Sequence, residues 1–178
     1  MKLNKSSILT NILDLGFKNR EQVKKLALIE NSEEGAKQYL RLMGGVILAN
    51  YNDRDFLSIA IKNDIKYIPY WLDDVFVYQP NPKEGEAIKL PQTIMREYKQ
   101  TGKIIGDCKI AAIFVGTLLK NYERLNKIEA VYICQVLNPT KEEKHVVAGY
   151  KQGTQLILID PTTPYQIDKN RISLLMKL

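Results

Sequence analysis

Gly106-Asp107-Cys108-Lys109-Ile110-Ala111-Ala112-Ile113-Phe114-Val115-Gly116-Thr117-Leu118-Leu119 is the stretch around which the rest of the chain has to be arranged. Ile110 through Val115 is apolar on nearly every side of a helix, and such a helix is expected to be buried centrally instead of lying on a surface. Asp107 is a good N-cap, because its carboxylate can accept from the unpaired amides of the first turn. The pattern predicts a helix from Cys108 to about Arg124. Cys108 then stands at the first helical position, where unpaired N–H groups and the positive end of the macrodipole favour thiolate over thiol. Asp107 opposes this by charge, although as the cap its carboxylate should turn toward the backbone.

Downstream of that helix the chain reads as β. Strands are predicted at Ile128 to Val136, Lys144 to Lys151 and Thr154 to Asp160, with turns at Asn138-Pro139 and Gln152-Gly153. The single histidine, His145, opens the second of them. A turn at Gln152-Gly153 sets Lys151 opposite Thr154, Gly149 opposite Leu156, Val147 opposite Leu158 and His145 opposite Asp160. Directly opposed residues share a sheet face, with Cβ atoms ~4.5–5.5 Å apart. Asp160 can then accept from one imidazole nitrogen and leave the other toward a thiol. A slip of one residue would separate the two side chains, so the arrangement depends on register. Val147, Gly149, Leu156 and Leu158 share that face, an apolar surface on which the Cys108 helix is expected to pack.

Cys108, His145 and Asp160 supply a nucleophile, a base and an orienting carboxylate, the minimum set for thiol catalysis. The backbone N–H of Cys108 is the natural first oxyanion donor, and Trp71 or Gln92 is a candidate for the second. Cys134, inside Val131-Tyr132-Ile133-Cys134-Gln135-Val136, reads as a buried apolar filler. Two cysteines are too few for a disulfide framework.

Upstream, Arg20 to Glu30 carries Val23, Leu26 and Ala27 at helical spacing. Ser32 with Glu33 and Glu34 offers a second helix start, followed by Ala36, Tyr39, Leu40, Met43 and Ile47, and weakened at Gly44-Gly45. Asn52-Asp53 is expected to cap a third helix to about Lys62. Ile65 to Trp71 and Asp74 to Tyr78 look extended, Pro80, Pro82 and Gly85 mark a loop, and Leu90 to Gln100 is a short helix with Pro91 in its first turn, ended by Gly102. A helical N-terminal extension over residues 1–50 and a catalytic domain over 51–178 follow.

The chain of 178 residues has a net charge of +6 and a pI near 9.2. Its lysines are interleaved with acids, as in Lys141-Glu142-Glu143-Lys144, and no arginine-rich stripe, zinc-finger spacing or aromatic RNA-binding signature occurs, so a nucleic-acid partner is not expected. No apolar run approaches the ~20 residues of a membrane span. The N-terminal stretch is a poor secretory signal, so a cytoplasmic location is the default, or a virion if the gene is viral.

Gly106-Asp107-Cys108, His145-Val146 and Asp160-Pro161-Thr162, with the helix–strand–strand–strand block between them, resemble the transglutaminase-like superfamily of papain-fold cysteine enzymes. The resemblance spans roughly Asp53 to Tyr165, with its specific motifs between Gly106 and Thr162. It implies an α+β, papain-like core whose Cys-bearing helix packs on an antiparallel sheet, and a Cys108–His145–Asp160 triad. Small microbial and phage members are often single-domain thiol hydrolases. Lys109-Ile110 departs from the acidic residues that follow the cysteine in many microbial relatives. The chain is too short for the added β-domains of animal transglutaminases and has nothing resembling their calcium sites, so no cofactor or metal is expected. A cysteine peptidase or amidase working through a thioester on a peptide or protein amide is the leading expectation. A protein-glutamine transglutaminase, or a catalytically idle binding or virion component, stands as the alternative, and the N-terminal helices could dock a protein partner.

Overall fold

The computed structural model describes residues 33–80, 88–137, 144–162 and 167–178. The helix expected at Arg20 to Glu30 lies outside them, as do parts of the loops at 81–87 and 138–143.

The central helix, α5 when counted along the chain, spans Cys108–Arg124. Asp107 caps it, its Oδ1 accepting from Lys109 N at 3.0 Å and Ile110 N at 3.2 Å. From Ile110 to Leu119 every side chain is buried, so neighbours surround the helix. On one side lies a four-stranded antiparallel sheet of β3 (Ala130–Leu137), β4 (Lys144–Gln152), β5 (Gln155–Ile159) and β6 (Ile172–Lys177), in the order β5-β4-β3-β6. The other sides are covered by α1 (Glu33–Asn50) and α2 (Arg54–Lys62). The architecture is therefore α+β with a cysteine-headed helix packed against an antiparallel sheet.

Tyr39, Met43 and Ile47 recur along α1 and belong to the same buried cluster as Ile113, Val115 and Leu118 of α5. α1 therefore contributes to the same core as α5. Gly44-Gly45 does not interrupt α1. At Gly44 a Cβ would come within 2.5 Å of Met176 Cε and 2.8 Å of Leu178 Cδ2, so the missing side chain admits the end of β6.

Asp53 caps α2 by accepting from Asp55 N. The extended reading of 65–71 is corrected: Ile65–Tyr67 form a 3-10 turn and Ile68–Val75 form a helix, α3. Pro69 sits in its first turn, where a fixed φ and a missing N–H suit a helix start. Ile68 and Leu72, four residues apart, both point into the core. Burial at helical spacing overrides the strand preference of the aromatic and β-branched residues. Of 74–78, only β1 (Phe76–Tyr78) is extended. It pairs in parallel with β2 (Ile104–Gly106), which follows α4 (Pro91–Thr101) and its left-handed cap at Gly102, φ 70.

The β4–β5 register differs from the sequence expectation by two residues. Gly149 faces Leu158, not Leu156, and Gln152 faces Gln155, which leaves Gly153-Thr154 as the turn. Gly153 carries the positive φ of 59, and a two-residue hairpin turn places such a glycine first. A two-residue shift preserves the alternation of faces. The helix-facing side is also corrected. Val146, Ala148, Tyr150 and Ile159 join the α5 core, whereas Val147 and Leu158 pack with Cys134, Val136, Ile167 and Ile172 on the opposite face. β4 is apolar on both faces because both are covered, so alternation alone could not say which one meets the helix.

Candidate active site

Cys108, His145 and Asp160 come from the start of α5, the start of β4 and the residue after β5. Gly106 explains how the approach to Cys108 is shaped. A Cβ there would lie 2.6–2.7 Å from three atoms of Ile110, a branched side chain on the first turn of α5. Only glycine lets β2 pass this close to the helix it leads into. Among the described residues, no hydrogen bond is made by the backbone N–H of Cys108. At the first helical position it has no partner within the helix either.

His145 Nε2 lies 2.5 Å from Asp160 Oδ2. An ionised carboxylate only accepts, so Nε2 carries the proton of this bond. The Cys108 side chain acts on the same ring by hydrogen bonding and by charge, and with Nε2 engaged by Asp160 the nitrogen left for the thiol is Nδ1. Burial by itself would lower the imidazole pKa. The hydrogen bonds to Asp160 and Cys108, with the Asp160 charge, outweigh it and push His145 up from 6.5 to about 10. For Asp160, burial would raise the carboxyl, but the bonds from His145 and Thr162 hold it below the usual carboxylate range. Cys108 is 9% exposed, and the side chains of His145 and Asp160 are 19% and 4% exposed. Since the body of α5 packs on the other face of the sheet, the three meet at the end of β4 and not over its helix-covered face.

Thr162 is a member of the cluster to which the sequence reading assigned no role. Its N–H and Oγ1 both donate to Asp160 Oδ1, at 2.9 and 2.6 Å, and its Oγ1 lies 3.3 Å from His145 Nε2. The signal was present in Asp160-Pro161-Thr162, because an aspartate followed two residues later by a free amide is an Asx-turn pattern.

Neither oxyanion candidate is hydrogen-bonded to Cys108, His145 or Asp160 among the described residues. Trp71, on α3, packs edge-on to Tyr98 with centroids 5.6 Å apart and lies 6.1 Å from the Phe114 ring. Phe114 is six residues along α5 from Cys108, ~9 Å at 1.5 Å per residue. Gln92 is half-buried in the first turn of α4, which packs on β2 and α5. Neither side chain makes a hydrogen bond among the described residues.

Cys134 is fully buried, and desolvation, with a contribution from the Asp160 charge, pushes its thiol up to about 12. Among the described residues, no group of three His, Cys, Asp or Glu side chains could hold a metal ion, and no helix is long and apolar enough to cross a membrane. No family model matches the chain and no curated protein matches it.

Proposed function

We propose that the protein is a thiol-dependent acyl-transfer enzyme, a cysteine peptidase or amidase built on a papain-like, transglutaminase-like core. The observation that carries this reading is the position of His145, bonded through Nε2 to a buried carboxylate while its ring also engages a cysteine at a helix start. In the proposed reaction the Cys108 thiolate attacks an amide carbonyl, with the negative oxygen directed to the Cys108 N–H. His145 Nδ1 gives its proton to the departing amine as the C–N bond breaks, leaving a thioester. Water then attacks the thioester, His145 takes its proton, and the carboxylic acid and the Cys108 thiolate are released. Asp160 keeps the imidazole in the required tautomer and stabilises its positive charge.

A transglutaminase proceeds through the same thioester with an amine in place of water. The discriminating experiment offers the protein a γ-glutaminyl donor and peptide libraries, with and without an added primary amine, beside Cys108→Ala. Hydrolysed peptide without amine incorporation supports the hydrolase. Amine incorporation in preference to hydrolysis supports the transglutaminase, and no turnover above Cys108→Ala in either assay overturns the enzymatic reading.

A further inference from the structure

We propose that the cavity walled by Tyr67, Trp71 and Tyr98 is a docking site for one tyrosine side chain presented by a peptide or protein partner. The inference goes beyond the acyl-transfer reading and does not need a reactive Cys108. The cavity holds about 180 Å³ between the end of α2 (Ile59, Asn63), the 3-10 turn (Tyr67), α3 (Ile68, Trp71) and α4 (Tyr98). That is room for a single ring, well below the ~300–1,000 Å³ of sites for drug-sized ligands. Its walls carry no charged side chain, so an anion entering it would lose water without gaining a counter-ion. A cation is no better served, because the Lys66 ammonium already lies 5.0 Å from the centre of the Tyr67 ring. An aromatic ring suits the walls. Trp71 and Tyr98 meet edge-on at 85° with centroids 5.6 Å apart, and a third ring extends the same tilted packing. The polar groups of the walls then select the ring. Asn63 Nδ2 donates to Ile59 O at 2.9 Å, which leaves Asn63 Oδ1 as an acceptor, and the Trp71 indole N–H makes no hydrogen bond. A phenol hydroxyl can donate to the first and accept from the second, whereas a phenyl ring does neither and an indole only donates. A polypeptide source is favoured by the apolar surface beside the cavity. Tyr67, one of the walls, is 58% exposed, and Tyr70, three residues on along the same helical face, is 71% exposed. A ring seated in a pocket with apolar contacts around it is the arrangement of an interface anchor.

The test uses Trp71, the one tryptophan of the chain, as its own reporter. Its emission, excited beyond the tyrosine band in the full-length protein, is followed while acetyl-leucyl-tyrosyl-leucine amide is added. A saturable change is expected. The phenylalanyl peptide should bind about fivefold more weakly for want of the hydroxyl, and the alanyl and lysyl peptides should not saturate. p-Cresol, the ring without the peptide, should bind about tenfold more weakly than the tyrosyl peptide, because it forgoes the apolar contacts around the cavity. Asn63→Phe, at an exposed position, fills the cavity and should abolish the response. Tyr67→Ser opens one wall and should weaken the peptide several-fold, which decides the question if Asn63→Phe does not fold. No saturable change with the tyrosyl peptide, equal midpoints for the tyrosyl and alanyl peptides, or a wild-type response in the folded variants overturns the proposal. So does p-cresol binding as tightly as the peptide, which marks a small-molecule site, or tetramethylammonium binding more tightly, which marks a cation cage.

Discussion

His145 and Asp160 meet diagonally across the β4–β5 hairpin: Nε2 lies 2.5 Å from Oδ2, although the register that pairs Ala148 with Ile159 sets Val147, not His145, level with Asp160. Continuing the same count places Thr162 level with His145, and Thr162 Oγ1 is 3.3 Å from the imidazole Nε2. The carboxylate is therefore held at both oxygens, Oδ2 by the imidazole and Oδ1 by the amide and hydroxyl of Thr162. A carboxylate fixed in this way cannot rotate without breaking three contacts, so it constrains the plane and tautomer of the ring it faces.

Thr162→Val tests that constraint. The substitution keeps the shape and the backbone bond but deletes the Oγ1 donor to Asp160. A buried hydrogen bond to a charged group is worth about 1.5–3 kcal/mol, so equilibrium urea unfolding at neutral pH should show a loss of that order. Alkylation of Cys108 should slow as well, because Asp160 no longer aligns the imidazole. Thr162→Ser restores the hydroxyl and should recover most of both. Wild-type stability and labelling in Thr162→Val would mean that the Oγ1 contacts carry no weight.

Much of this arrangement could be read from residue order. The Asp107 cap, the all-round apolar face from Ile110 to Val115 and the left-handed Gly102 are local features whose physics is local, and each element lies where its pattern predicts. The parity that brings His145 and Asp160 to one face also survives, because a two-residue shift of register leaves the faces unchanged. What was not legible depends on distant partners. Ile65 to Trp71 has strand-like composition but becomes helical once Ile68 and Leu72 are buried together. The face of β4 that meets α5 is undecidable from Val146-Val147, where both side chains are buried. β6 has one β-branched residue, Ile172, ahead of Ser173-Leu174-Leu175-Met176, a weak strand signal, and is extended through its pairing with β3.

The His145–Asp160 pair should make stability depend on pH in a defined direction. The imidazole is raised in the fold from 6.5 to about 10, so its contribution is complete below pH 6.5 and disappears as pH rises through 10. The Asp160 carboxyl is lowered from 3.8, so its contribution is present above that value and is lost as pH falls through its folded-state value. Between about pH 4 and pH 6.5 both are in place. Asp160→Asn should therefore be most destabilising in that window, with the deficit shrinking on the alkaline side. Because the chain has one histidine, the imidazole can be followed as a single proton resonance. Its titration should lie well above neutrality in the wild type and fall in Asp160→Asn; an ordinary midpoint near 6.5 in the wild type would contradict the pairing.

The two cysteines should differ sharply toward alkylating reagents. Cys108 is at a helix start and retains 9% exposure, whereas Cys134 has none and its thiol is pushed up to about 12 by desolvation and the nearby Asp160. Reagents act on the thiolate. Iodoacetamide at pH 7 should modify Cys108 in the native protein and spare Cys134 until denaturant is added, and His145→Ala should slow the first reaction. Equal labelling of both in the folded state would remove the basis for treating Cys108 as activated.

Gly149 links the hairpin to the site, and its replacement by alanine should disturb both. A Cβ at this position would stand 2.5 Å from the Ile157 carbonyl oxygen, 2.7 Å from Leu158 Cδ2 and 3.2 Å from Leu158 Cα. Two of those three atoms are backbone, so side-chain rotation cannot relieve the overlap and β5 itself has to move. Gly44 provides the contrast, because its closest contacts are the flexible tips of Met176 and Leu178. Overpacking in a well-filled interior typically costs about 1–3 kcal/mol. Gly149→Ala should fall toward the upper end of that range in urea unfolding, and Gly44→Ala toward the lower. The displacement should also propagate two residues past Leu158 to Asp160, so Gly149→Ala should lower the imidazole titration midpoint while Gly44→Ala leaves it unchanged. A Gly149→Ala protein with native stability and a native imidazole titration would show that β4 and β5 are not in the close approach that delivers Asp160 to His145.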